Sequence, residues 1–437
     1  MKSGTLLKIG CALLSGAYVA MPVVANDFVN TGSNANHFSL YAAASNPAMA
    51  ELQVAKDEKW RMSFGPGIGT YNELGKVDDF VDELQDLADL LDDPASATDS
   101  VQETLDHFNN VLEQMGEEGY VTNGMQVHLP VFPLYYRSSK FGGTFFSEYT
   151  WNSLLSASVL DDELAYNDQN GNFSTNTSVY LKGAVENRIS LGYSRLLEWD
   201  GSSPYDGDIY GGVRLSMNKI ELSKQVLALT EMAGEEISDV IQDEYDRYLR
   251  STTAFSLDVG FMWDTEKFRT GITFKNVNGP SYAYGEIGGN CEELPDASAA
   301  RSNCEVARYY TQVEGEINAN EVYRQYSRLT LDGLYKFSNN LLLSAAWDTD
   351  SYVDAVGNER RWMKVAGVYE SGRKAIPSLR LGYQKNMAGS QLAAFNAGLT
   401  LFQSWILEVN YGTEEVSVDG TTLPRNFGFL IAFQEYF

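Results

Sequence analysis

Few residues in this chain are of a kind that does chemistry, and their spacing argues against most of it. There are three histidines, His37, His107 and His128. A hydrolase or lipid-modifying enzyme needs a nucleophile, a base and a group that orients the base. Only His128 falls in a segment with strand character, and no carboxylate and serine are arranged with it. Asp168-Gln169-Asn170-Gly171-Asn172 and Asp348-Thr349-Asp350 faintly suggest calcium loops. Neither keeps the Asp-x-Asp-x-Asp-Gly spacing with a closing glutamate. Turn residues in hairpins account for both. Cys291 and Cys304 close a short loop rich in Gly, Pro and Ala. In an exported chain such a pair reads as a disulfide, and no further Cys or His stands nearby to make a metal site. The sequence thus points to a protein that is not an enzyme, with no catalytic residue, metal or cofactor.

The informative charges alternate with apolar residues. Asp258 lies opposite the row Phe255, Leu257, Val259, Phe261 and Trp263, and Arg269 and Lys275 oppose Phe268, Ile272 and Phe274. Arg328, Asp332 and Lys336 oppose Leu329, Leu331, Tyr335 and Phe337; Arg380 opposes Leu379 and Leu381, and Glu408 opposes Trp405, Leu407 and Val409. Period-2 apolarity is what a strand shows when one side meets lipid and the other a polar lumen. These charges, with Lys364, are therefore candidate lumen residues. A lumen carrying both signs is either filled with paired side chains and a plug or open to polar solutes.

The elements that would position them are about fourteen strands: 59–72, 121–137, 141–157, 177–197, 209–224, 253–263, 267–277, 326–337, 341–350, 361–370, 378–386, 394–402, 405–414 and 424–437. An even number suits a bacterial barrel. With both ends of the wall in the periplasm, the long links fall outside and nearly every short one inside. Splitting 177–197 at Asn187 would spoil that parity. The last strand, PRNFGFLIAFQEYF, alternates Phe427, Phe429, Ile431 and Phe433 and ends on Phe437. Asn426, Gly428, Ile431 and Phe433 resemble the C-terminal signal read by the barrel-insertion machinery.

The fold class is accordingly all-β, a transmembrane antiparallel barrel (59–437) with an N-terminal plug segment and helical extracellular inserts. Residues 1–25 read as a signal peptide: Lys2 and Lys8, an apolar run, then Val23-Val24-Ala25. Cys11 reads as an inert thiol within it. Residues 26–58 precede the wall and are either a plug in the lumen or a periplasmic tail. Inserts 75–119 and 226–249 show helical spacing, as in Val77, Phe80, Val81, Leu84, Leu87 and Leu91, with Leu229, Met232, Ile237, Val240 and Ile241 in the second. Their opposite faces are acidic, and they either cap the mouth or form a solvated surface. The loop 278–325 holds the cysteines. Removing Lys2 and Lys8 takes the net charge from −27 to −29, which excludes nucleic acid as a partner. The abundance of Tyr (26) and Phe (21) suits aromatic girdles at the two membrane interfaces.

Asn46-Pro47-Ala48, Gly211-Gly212-Val213, Thr270-Gly271-Ile272, Lys275-Asn276-Val277 and the final Phe437 together resemble the FadL-type outer-membrane barrels. Within them, the chain is similar to a FadL-like family named for conjugal-transfer TraF proteins, which carries a similar acidic helical insert. No Cys-x-x-Cys occurs, so the thioredoxin-like protein sharing that name is a different one. The resemblance implies residence in a Gram-negative outer membrane, contact with lipid, and uptake of small apolar ligands past a plug carrying Asn46, Pro47 and Ala48. It also implies lateral release through a break in the wall. Pro66, Pro130 and Pro133 are candidates for that break, because proline cannot donate to a ladder; the alternative is that they only end strands. A second reading is a barrel without transport whose acidic helices bind a protein partner of the envelope or conjugation apparatus. A diffusion porin ranks third.

Overall fold

The computed structural model describes residues 42–62, 67–94, 100–128, 132–197, 207–229 and 237–433. Alternation of apolar and polar residues resolves into strands that pair in sequence order. β1 comes in two pieces, Trp60–Met62 and Gly67–Leu74, and β2 in two, Tyr120–His128 and Leu134–Ser138. β3 to β7 are Gly143–Leu160, Ser178–Leu196, Asp208–Ala228, Arg250–Asp264 and Phe268–Lys275. β8 to β14 are Arg328–Lys336, Leu341–Asp348, Trp362–Tyr369, Ser378–Asn386, Ala393–Leu401, Trp405–Gly412 and Asn426–Phe433. Counting each divided strand once, the sheet has fourteen antiparallel staves. It closes where β1 meets β14, from Gly67↔Ala432 to Glu73↔Asn426.

Every expected strand is present within a few residues of its expected ends. Ser178–Leu196 is unbroken at Asn187, since both of its ladders run through that residue without slipping. Closure pairs every stave on both sides, as an apolar solvent requires. Ile189, Leu191, Val213, Leu215, Phe261, Ile272, Leu381, Val409 and Ile431 form an exposed outer belt. At the short-turn end aromatic pairs ring the wall: Phe145 with Tyr193, Trp263 with Phe268, Tyr335 with Phe337, and Trp405 with Phe433. Aromatic rings at the border of an apolar belt mark a membrane interface. No described helix is long and apolar enough to cross a membrane; the strands do the crossing. The protein is an outer-membrane barrel, with short turns at one end of the wall and long loops at the other.

One flank is taller than the rest. β3, β4 and β5 have 18, 19 and 21 residues, whereas about 9–11 span a membrane. Their outer ends therefore rise about 25 Å above it and are buried on both faces. Because the ladders between them run without a slip, face assignment holds to the tips. Ala157, Val159, Val179, Leu181 and Leu227 share the side of the lipid belt, and against them pack the helices α1 (Phe80–Asp92) and α2 (Val101–Glu118) through Leu84, Leu87, Leu112 and Met115. Ser100 and Glu103 form a capping box at the start of α2, worth about 1 kcal/mol.

The acidic helix pair thus lies against the outside of the tall flank and does not lie over the lumen. Among the described residues of the insert expected as helical over 226–249, α3 (Ile237–Tyr248) is helical, whereas Val226–Ala228 continues β5. The reason is that Val226 and Leu227 are each covered, from opposite faces of the sheet. The expected helix position Met232 lies outside the described residues. α3 joins the same outer layer: the Tyr245 ring packs over Gly183, and Ser223 Oγ donates to the Tyr245 carbonyl.

Candidate functional site

Residues 42–54 lie within the barrel. A helical turn, Ala42–Ser45, leads into a 3-10 turn, Pro47–Leu52. Asn46 caps the second turn, its Oδ1 accepting from the Ala48 amide at 3.0 Å, and Pro47 starts it. Proline suits a first helical position, where its missing N–H is not needed. The Asn46 amide also donates to the Phe261 carbonyl of β6 at 3.1 Å. The wall makes room for this: Gly212 of β5 and Gly260 of β6 stand opposite each other in register. A Cβ on Gly212 would meet the Ala48 nitrogen at 2.5 Å, and one on Gly260 would meet Asn46 Oδ1 at 2.1 Å. Backbone contact this close is available only to glycine. Ser194 Oγ of β4 donates to the Ala48 carbonyl at 2.8 Å.

Three arginines, Arg214 and Arg61 buried and Arg137 half-buried, hold the same segment. Arg214 of β5 donates to the Ala43 and Ala44 carbonyls at 3.2 and 3.0 Å, to Glu148 at 3.2 Å and to Asp258 at 2.7 Å. Arg61 donates to the Gln53 carbonyl at 2.7 Å. Arg137 donates to the Glu51 carbonyl at 2.8 Å and to its carboxylate. Ala43, Ala50 and Val54 pack on Tyr135 and Phe146.

Arg61 and Arg137 sit on the facing short pieces of the two divided strands. The β1–β2 ladder pairs Trp60↔Tyr136 to Met62↔Leu134 and, one residue out of that register, Gly67↔His128 to Leu74↔Val121. On the other side, β2 pairs with β3 at His128↔Thr150 and again at Leu134↔Ser147. Between these two pairs the register of β2 on β3 shifts by three residues, as at a bulge. Pro133 lies in this stretch after a cis peptide bond; Pro66 and Pro130 lie outside the described residues.

All nine charges expected in the lumen, Lys364 included, have inward parity. Arg269 meets Asp264 through two nitrogens at 3.1 Å each, and Lys336 joins the same carboxylate at 3.0 Å. Arg380 pairs with Glu408 at 2.8 Å, and Arg328 stacks on Tyr352 at 3.9 Å. Asp258 is taken by Arg214. Asp332 and the Asn46 amide nitrogen both lie close to Gly271. Lys275 is half-buried opposite Arg328. Sequence reasoning missed Arg214, Glu148, Arg137, Glu51, Arg360 and Glu73. The last two pair across the outer end of the lumen, where Arg360 also reaches Asp354 at 3.3 Å. Inward parity was the available signal for Arg214, but its partners 43 and 44 are far away in sequence.

The other candidates have simple placements. His107 is exposed, 3.7 Å from Glu83 on the helix pair, and His37 lies outside the described residues. Asn167 and Asn170 accept from the amides of Gln169 and Asn172, as hairpin turn residues do. Asp348 accepts from Thr330 Oγ and the Trp362 amide. No three His, Cys, Asp or Glu among the described residues are placed to hold a metal. Cys291 and Cys304 form the expected disulfide. On α3, burial pushes the Glu244 carboxyl up to about 7 against the opposing charge of Arg247.

The fold was compared with solved structures. It is similar to the Ralstonia pickettii toluene transporter TbuX at 10% identity and a TM-score of 0.41, over 91% of this chain and 94% of that one. A Pseudomonas aeruginosa FadL homologue is similar at 10% identity and 0.39, over 95% and 98%. The Pseudomonas putida toluene transporter TodX is similar at 10% identity and 0.37, over 90% and 91%. A comparison with curated proteins gave no match. A family profile described as "F plasmid transfer operon, TraF, protein" matches residues 43–350, well over half of the sequence, and the chain belongs to that family.

Proposed function

We propose that this barrel takes up small hydrophobic compounds from outside the cell, with residues 42–54 as a movable plug and the level where β2 shifts register on β3 as a lateral exit. The observation that carries the reading is the shift of β2 by three residues on β3 between His128↔Thr150 and Leu134↔Ser147, bordered by residues that grip the segment. A shift of register weakens a ladder locally, and an apolar solute leaving there would not have to cross the charged lumen. Tyr135, Phe146, Ala50 and Val54 supply apolar contacts beside that level. The plug is held by hydrogen bonds and ion pairs that can exchange for water. Its small residues, Ala43, Ala48 and Ala50, leave little side chain to withdraw.

The test is uptake of labelled toluene and of a labelled long-chain fatty acid into liposomes carrying the protein, alongside mass spectrometry of small molecules released on denaturation. Uptake that stops when Ala44 is cross-linked to Glu148 through paired cysteines supports the reading. Absence of uptake and of any apolar ligand from folded barrels overturns it.

A second reading is favoured by the outward position of α1 and α2. Their acidic faces carry Asp86, Asp89, Glu103 and Asp106 away from the wall, and a basic partner protein could dock there. Deleting residues 75–119 should then abolish partner capture while leaving uptake intact.

A further inference from the structure

Lys182 of β4 and Lys224 of β5 stand directly opposite each other in the ladder, on the inner face of the tall flank. Two like charges in that position destabilise a sheet unless an anion lies between them. The anion is Glu321, from the long loop that joins β7 to β8. Its carboxylate lies 2.5 Å from Lys182 Nζ and 3.7 Å from Lys224 Nζ, and Tyr180 donates to it at 3.4 Å. The Tyr284 ring from the same loop faces both ammonium groups, at 4.9 and 5.8 Å. Lys224 is fully buried and also donates to the Asn318 carbonyl. Glu321 is the most exposed of the three side chains.

The loop is built to lie across the mouth. Its disulfide and helix α4 (Ala299–Tyr309) form one unit, which packs Ala307 and Tyr310 onto Leu160 and Val226. Tyr282 and Tyr284 pack on Ile220 and Leu222. Tyr284 reaches the Ala355 carbonyl in the loop between β9 and β10 on the far rim. The lysine pair is thus a cationic spot between two apolar clusters, filled by a carboxylate that belongs to the covering loop.

We propose that Lys182 and Lys224 form an oxyanion-binding site, that Glu321 is its resident occupant and pins the loop as an outer gate, and that a solute oxyanion carried on an apolar tail opens the gate by taking the carboxylate's place. The apolar clusters on either side accept the tail. The proposal rests on the uptake reading only for the existence of a path behind the loop.

The experiment uses the full chain in lipid nanodiscs and planar bilayers, with octanesulfonate as probe and octyl glucoside as its uncharged counterpart. Octanesulfonate should speed amide exchange over residues 316–324 and raise open probability; octyl glucoside should do neither. Glu321→Gln should raise both without any probe, by about tenfold or more for the loss of one buried charge-assisted contact. The double variant Lys182→Met, Lys224→Met should no longer respond to octanesulfonate. An equal response to both probes overturns the proposal, as does a folded Glu321→Gln barrel with wild-type exchange. Should Glu321→Gln fail to fold, the wild-type probe comparison decides alone. Exchange that responds without any neutral-solute uptake rejects the uptake reading and leaves the gate; uptake with no exchange response does the reverse.

Discussion

Glu148 and Arg214 meet at 3.2 Å beside the level where β2 shifts register on β3. Arg214 reaches from there to the carbonyls of Ala43 and Ala44 and to Asp258, so one guanidinium joins the wall to the segment inside. All its donors point at acceptors fixed by the barrel or by that segment. Arginine suits this role, because its planar fork satisfies several acceptors at once without losing charge.

Replacing Arg214 should therefore free the segment. Arg214→Met leaves Glu148 and Asp258 buried without their cation, a loss of about 3–5 kcal/mol from a buried pair. Ala44→Cys, introduced beside it, should change from slow to fast labelling by a water-soluble maleimide. Asp258→Asn should act in the same direction but less strongly. Labelling that stays slow in folded Arg214→Met would show that the other contacts hold the segment without it.

The glycine pair makes a sterically independent case. Gly212→Ala should unseat the Asn46-Pro47-Ala48 turn, because the new methyl carbon would stand 2.5 Å from backbone atoms that cannot rotate away. Gly333→Ala is the control: its Cβ would meet only the Arg269 carbonyl oxygen, at 3.9 Å. The first variant should label quickly at Ala44→Cys and melt at a lower temperature. The second should match wild type to within about 1 kcal/mol. Equal behaviour of the two would separate the glycines from the seating of the segment.

These positions also show what could be read from sequence. Alternation disclosed the staves and their inward charges, because each residue of a strand has its side fixed by parity with its neighbours. Of the three prolines, Pro133 lies where β2 shifts register on β3, as suits a residue that cannot donate to a ladder; Pro66 and Pro130 lie outside the described residues. Arg214 was hidden because its partners come from a segment about 170 residues away, a link no local period carries. The helix pair was misplaced for a different reason. Amphipathic spacing tells which face a helix buries and is silent on which side of a sheet receives it. The clue was Val226-Leu227-Ala228-Leu229, an unbroken apolar run that reads as helical by composition. A strand covered on both faces gives the same run.

Glu244 brings a pH dependence to the outer layer. Its carboxyl is raised to about 7 by burial, above its unfolded value, so docked α3 binds more protons than undocked α3 in the interval between the two. Stability from this group is fully present below about pH 4.5 and is lost as pH rises through about 7. Amide exchange over 237–248 should accordingly be faster at pH 8 than at pH 6, beyond the intrinsic chemical effect. Glu244→Gln should remove the excess while keeping the helix docked. A pH response that survives in Glu244→Gln would assign it to another group.

The helix pair should be separable from the barrel. Leu112 of α2 is almost fully buried among Leu84, Leu87 and the outward residues of β3 and β4, so Leu112→Ala should cost about 2–5 kcal/mol where it packs. That loss is large for a hairpin of two short helices, which has no core apart from this contact. The staves have their ladders whether or not the helices are docked. Limited proteolysis should therefore cut Leu112→Ala within residues 100–118 under conditions that leave wild type whole. The heat-dependent shift of the folded barrel in electrophoresis should stay where it is. A parallel fall in barrel stability would mean that the tall flank relies on its outer layer, and deletion of residues 75–119 would then no longer be a clean test of partner binding.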